Sequence, residues 1–212
     1  MKTELKHPYV SVISGETVTC GGNQKLHPDP AFQKDGCGVV AGTDWILYKQ
    51  GRKRISQEAY QALLDDMNRI YLPYQPNHGM SGFVFAKGMN RYCRSRKLPW
   101  RFIWGVPRKR LFSSIEEMLK ADLTVVLTVG PSAPWKKKTG RQLGLYQKNG
   151  QGIYAKVRST GGHYMTVTGM DENWLQVSSW GEAFFINRRE YLEYASEYSF
   201  YFYTNIFRVK VL

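Results

Sequence analysis

Cysteine is scarce in this chain: Cys20, Cys37 and Cys93 make an odd number, and no two form a Cys-x-x-Cys pair. That argues against a disulfide framework and against a zinc site, and it fits a reducing, cytoplasmic setting. No apolar run approaches the roughly 18 residues of a membrane-spanning helix. The first residues, Met1 to Pro8, are charged and lack the apolar centre of a signal peptide, so a soluble chain without an export signal is expected. Also missing are Gly-rich phosphate loops, His/Cys metal spacings, aromatic RNA-binding motifs, internal repeats and low-complexity tracts. No metal or organic cofactor is expected.

Acidic side chains are few as well, 17 against 30 lysines and arginines, for a formal charge of +13. The excess is concentrated in Arg52-Lys53-Arg54, Arg94 to Lys97, Arg108-Lys109-Arg110 and Lys136-Lys137-Lys138, while the C-terminal part is far more acidic. Such a surface attracts nucleic acid, anionic lipid or an acidic partner in a salt-dependent way. A solvated basic face is the plainer meaning of charge runs, and no motif supports nucleic-acid binding specifically.

What is present is enough for one core or two small lobes: 212 residues, 42% of them hydrophobic. Residues 8–14 read as an extended arm or short strand, and 21–36, rich in Gly, Pro and Asp, as a loop. Helical spacing of Val40, Ala41, Trp45, Ile46 and Tyr48 predicts a helix over about 37–50. Ser56 is placed to cap a second helix reaching Leu72, and a third covers about 81–97. Beyond Trp100 come a strand at 101–106, a short helix capped by Ser113 or Ser114 with Glu116 and Glu117, and a strand at 123–129. A mobile or hairpin-like connection over 130–162 is expected, with strands near 143–147 and 153–157. Strands at 163–170, 173–179 and 183–186, a helix capped by Asn187, and a long aromatic strand from Tyr198 to Leu212 complete the chain. The order is an α+β plan: one unit over 1–212, mainly helical in 1–98 and mainly β in 99–212.

Among the cysteines only Cys37 has a turn before it, a helix after it and glycines on both sides, Gly36 and Gly38. A helix N-terminus favours the thiolate, the nucleophilic form, and the glycines suit close approach of another backbone. A free cysteine there is equally at home as a small buried hydrophobe. Cys93, inside a predicted helix, reads as a packing residue. A base must be partly neutral near pH 7, which selects histidine. His7, His27 and His78 look like surface loop residues, and only His163 opens a predicted strand, after Gly161-Gly162.

The run Gly36-Cys37-Gly38 at a helix start, with Gly162-His163-Tyr164 to Met170 far downstream and then Ser178-Ser179-Trp180-Gly181, resembles the papain-like cysteine peptidases and, within them, the C39-like branch. The resemblance implies an N-terminal helical lobe carrying the cysteine helix, packed on a C-terminal antiparallel β lobe. It also implies a third catalytic member, Asn or Asp, holding the imidazole through Nδ1–H. Two positions before Trp180 the chain has Ser178, and sixteen or so residues after the histidine it has Ser179; neither hydroxyl carries the charge that stabilises an imidazolium. The oxyanion donor, a Gln upstream of the cysteine, corresponds to Gln24 or Gln33, with Gln24 favoured because Gln33 is so close to Cys37.

Three readings follow. The first is a cysteine-dependent hydrolase, a thiol peptidase or amidase, in which His163 deprotonates Cys37 for attack on a peptide or protein substrate. The second is a catalytically weak or inactive papain-fold protein that uses its basic surface to bind an acidic protein or nucleic acid. In the third, Cys37 and His163 never meet, and the chain is an unrelated α+β domain.

Overall fold

A computed structural model describes residues 2–136 and 140–212. Lys137 and Lys138 of the fourth basic run, and part of the 130–162 connection, lie outside the described residues. In chain order, β1 (Thr3–Glu4) precedes β2 (Ser11–Ser14), which turns back through β3 (Thr17–Val18). Residues 21–36 are not one loop: a 3₁₀ turn at Gln24–Leu26 leads to α1 (Pro30–Asp35). Asp29 caps α1 by accepting from the Ala31 N–H at 2.9 Å, and Pro30 occupies a first-turn position where its missing N–H costs nothing. The Asp-Pro pair is a helix start; the surrounding Gly and Pro content masked it.

After one residue, Gly36, comes α2 (Cys37–Lys49), then β4 (Arg54–Ser56), α3 (Gln57–Ile70) and α4 (Gly82–Ser95). Ser56 and Ser81 cap α3 and α4, each hydroxyl accepting a backbone N–H at 3.3 Å. β5 (Trp100–Trp104) is followed by α5 (Leu111–Lys120). Neither Ser113 nor Ser114 caps α5. A 3₁₀ turn over Arg108–Arg110 feeds straight into it, and the Ser113 hydroxyl donates back to the Arg110 carbonyl at 3.2 Å.

The rest is mostly β: β6 (Val125–Val129), the hairpin β7 (Leu143–Lys148) and β8 (Tyr154–Thr160), β9 (His163–Met170), β10 (Trp174–Ser179) and β11 (Glu182–Asn187). α6 (Arg188–Glu193) is capped by Asn187, whose Oδ1 accepts from Arg189 and Glu190. The expected long final strand is shorter. A π-helical turn covers Tyr194–Tyr198, and only β12 (Phe207–Val211) is strand. Between them the buried Asn205 side chain bonds Val106 and Tyr201, which bends the chain there.

The fold is α+β, and every strand pair is antiparallel except β2 with β4. The main sheet runs β1-β9-β10-β11-β7-β8, with β6 on the same edge of β9 as β1. β1 thus carries the start of the chain across to the sheet formed by its second half. α2 is buried from Cys37 to Tyr48, and it packs on β9 on one side and on α3 and α4 on the other. A helix apolar all round is the expected sequence of a central element. Among the described residues no helix is long and apolar enough to cross a membrane.

Candidate active site

Cys37 owes its position to the break between two helices. The Gly36 N–H still bonds the Phe32 carbonyl of α1 at 2.8 Å, while the Gly36 carbonyl accepts from Val40 as the first bond of α2. The flanking glycines make room for close neighbours: a Cβ on Gly36 would lie 2.4 Å from the Phe32 ring and 2.7 Å from the Phe32 carbonyl oxygen, and one on Gly38 would lie 3.3 Å from the Met80 sulfur. The N–H groups of Tyr164, Gly38 and Cys37 itself favour the Cys37 thiolate, but burial outweighs them and pushes the thiol up to about 11. The pKa depression expected of a helix start is therefore overridden by desolvation. Burial also raises Cys20, in its loop, and Cys93, inside α4, to about 11.

His163 begins β9 immediately after Gly162, which takes the left-handed φ of +81°. Its Nε2 lies 2.6 Å from the Ser179 Oγ. The nitrogen engaged is Nε2 and not the expected Nδ1, which leaves Nδ1 as the other proton-accepting position. The choice between the two serines is made by a register shift. β10 pairs Gln176 with Gly169 but Val177 with Val167, so β9 has one extra residue, Thr168, at that point. After the bulge Ser178 stands opposite Thr166, which puts Ser179 on the alternate face, the face of Met165 and His163. Ser178 instead donates to the Cys20 carbonyl at 2.7 Å.

The β10–β11 hairpin turns through Trp180 and Gly181, both left-handed at φ +49° and +76°, the pattern of a tight two-residue hairpin. A left-handed tryptophan is costly, and its surroundings hold it. The indole stacks on the His163 ring at 4.2 Å and 13°, and the Arg158 guanidinium lies 4.8 Å from the indole ring centroid. Trp180 thus covers the imidazole beside its bond to Ser179. Burial, then the charges of Arg158 and Lys25, lower the His163 pKa to about 3, so the ring is neutral at pH 7.

Of the other histidines, His7 and His78 are exposed, but His27 is not. It is buried, stacked 3.9 Å from Phe32, and bonded to Asp65 at 3.1 Å. Asp171 sits in the β9–β10 turn, where it accepts the N–H groups of Asn173 and Trp174.

Gln24 and Gln33 separate clearly. Gln24 is buried beside Cys37, and its amide nitrogen donates to the carbonyls of Gln33 at 3.0 Å and Lys34 at 3.3 Å. Gln33 bonds the His27 carbonyl at 2.7 Å and does not line the cavity. An oxyanion would compete with the α1 carbonyls for the hydrogens of Gln24.

Asp44, two turns after Cys37 on α2, escaped the sequence reading. It is buried and accepts from Tyr60 at 2.7 Å, Tyr9 at 3.1 Å and the Gly22 N–H at 3.1 Å. Burial raises its pKa to about 6, against the pull of those donors. It anchors the Gly21-Gly22 segment, and hence Gln24, to the cysteine helix. A lone Asp in an apolar helical run was the available signal.

Cys37, His163, Ser179, Gln24 and Asp44 all line one small cavity of about 10 Å³, room for a single water. Cys37 and His163 also border a wider cleft of about 120 Å³ that opens past Met80, Trp104, Gly130 and Tyr203. The thiol and the imidazole, separated by more than half the chain, are thus brought together. Neither the protein-family models nor the curated proteins compared with this chain gave a match.

Proposed function

We propose that this protein is a papain-like cysteine hydrolase acting on amide or ester carbonyls of peptide substrates, with Cys37 as nucleophile, His163 as base and Ser179 as the group that orients the base. The observation that carries the reading is the pairing of the His163–Ser179 bond, under the Trp180 indole, with a helix-start thiol in the same cavity. In the resting state both partners are neutral. As the thiol sulfur bonds to the substrate carbonyl carbon, its proton passes to the imidazole, and the carbonyl oxygen becomes the oxyanion. In this reading the Cys37 N–H and the Gln24 amide, turned from the α1 carbonyls, donate to that oxygen. The imidazolium then returns the proton to the departing amine, leaving a thioester on Cys37. Water, deprotonated by the same imidazole, cleaves the thioester and regenerates the thiol.

Ser179 orients the ring without contributing negative charge, so the imidazolium is less stabilised than beside a carboxylate. A modest turnover rate follows. The direct test is incubation with p-nitrophenyl acetate followed by mass spectrometry of the intact protein and its peptides. An acetyl group on Cys37 that water removes supports the reading; acetylation elsewhere only, or none, overturns it.

A further inference from the structure

The C-terminal ends of α2 and α4 converge on a second cavity, of about 310 Å³, at the opposite end of α2 from Cys37. Its size is that of a small-ligand site, and four aromatic side chains, Trp45, Tyr71, Tyr92 and Trp100, share its lining with aliphatic and polar ones. Trp45 and Trp100 meet edge-on at 5.1 Å, and Tyr71 and Tyr92 do so at 5.2 Å. Cations stand over these rings: Lys49 Nζ is 5.5 Å from the Trp100 centroid, Arg96 is 5.9 Å from that of Tyr92, and Arg91 is 5.8 Å from that of Tyr71. Among the described residues neither Lys49 nor Arg96 forms a salt bridge. Asp66, which also lines the cavity, is paired with Arg69 at 2.6 Å.

One of the four basic runs reaches the cavity through Arg96, and a second follows the end of α2. The chain leaves α2 through Gln50 into Arg52-Lys53-Arg54 and leaves α4 through Arg96-Lys97, and all five of these basic residues are exposed. Lys49 Nζ also donates to the Asp122 carbonyl at 3.2 Å, yet its charge, like that of Arg96, has no carboxylate partner among the described residues. A concavity with aromatic side chains in its lining and such cations at its rim fits a ligand that is aromatic and anionic at once.

We propose that this cavity and its rim bind single-stranded nucleic acid, one base lying against the aromatic walls and the phosphates beside it lying on Lys49, Arg96 and the adjoining arginines. Stacking on aromatic rings supplies affinity without sequence preference, and the cations supply salt dependence. An acidic peptide would use the charges but leave the aromatic hollow empty. The site is separate from the hydrolase reading, and Cys37→Ala should bind equally well.

The test is fluorescence anisotropy of a short labelled oligothymidylate over a salt series, with inorganic polyphosphate and poly-glutamate as competitors. Saturable binding that weakens steeply with salt is expected, with both competitors much poorer than unlabelled oligomer. Trp100→Ala should weaken binding at least about fivefold, the loss of one stacked base, and Trp100→Phe should largely preserve it. Lys49→Gln with Arg96→Gln, changes at rim positions that leave the core intact, should reduce the salt slope. Equal competition by polyphosphate with no effect of Trp100→Ala would reduce the feature to a solvated basic face. Equal competition by poly-glutamate, or no saturable binding at low salt, would overturn the proposal.

Discussion

His163 and Ser179 lie 2.6 Å apart because β9 carries one residue more than β10 where they pair. In an uninterrupted register Ser178 would share the face of His163; the bulge hands that position to Ser179 and turns Ser178 toward the Cys20 carbonyl. Ser179→Ala should therefore lower the alkylation rate of Cys37 by about tenfold, the value of one buried hydrogen bond. Ser178→Ala should change it far less. Rates for the two variants at one pH check this, and equal effects would contradict it.

Trp180 shields the imidazole, and His163 titrates far below its ordinary 6.5 chiefly because it is buried. Trp180→Ala should move the His163 pKa upward, toward 6.5. An NMR titration of the imidazole protons, with His163→Gln to assign the signal, measures the shift. An unchanged pKa would show that the indole does not control the burial.

The pH dependence of stability contains two opposing contributions. His163 has a folded pKa of about 3, below its ordinary 6.5, so its contribution is present above about pH 6.5 and is lost as pH falls toward 3. Asp44 has a folded pKa of about 6, above 3.8, so its contribution is full below about pH 4 and is lost as pH rises through 6. Between pH 4 and 6 the two partly cancel. His163→Gln should flatten the acid loss and Asp44→Asn should steepen it, as measured by urea unfolding across that range. Asp44→Asn should also cost about 1–3 kcal/mol at pH 7, since its amide cannot accept from Tyr60, Tyr9 and Gly22 together. An unaltered slope in both variants would contradict the assignment.

Gly88 sets the approach of α4 to the end of α3. A Cβ there would stand 2.1 Å from the Tyr71 carbonyl oxygen and 2.7 Å from Leu72. Gly88→Ala should destabilise by about 2–3 kcal/mol through overpacking. At Gly150 a Cβ meets nothing within 4 Å, so Gly150→Ala serves as a neutral comparison in the same thermal melts.

Much of this was legible in the sequence because local chemistry and packing agree. Ser56 and Asn187 cap the helices they precede, and the apolar run from Val39 to Tyr48 is the buried central helix. The thiol at a helix start and the histidine at a strand start do line one cavity. Other features were set by long-range contacts that no local pattern carries. The bulge at Thr168 chose between two adjacent serines, and the buried Asn205 broke up an aromatic segment that reads as strand. His27 was drawn inward by the ring of Phe32 on the short helix α1, which the sequence reads as loop, and by the distant Asp65. The thiol shift was missed because a helix start acts locally, whereas burial depends on everything packed around it.

The pairing of Cys37 with His163 is tested most directly by iodoacetamide labelling at pH 6, with each cysteine quantified by peptide mapping. Burial raises all three thiols to about 11, so without specific help they should react slowly and alike. The expected result is that Cys37 reacts fastest, ahead of the more exposed Cys20 as well as Cys93, and falls to their rate in His163→Ala. Labelling of Cys37 no faster than that of Cys20, or unchanged by His163→Ala, would contradict it.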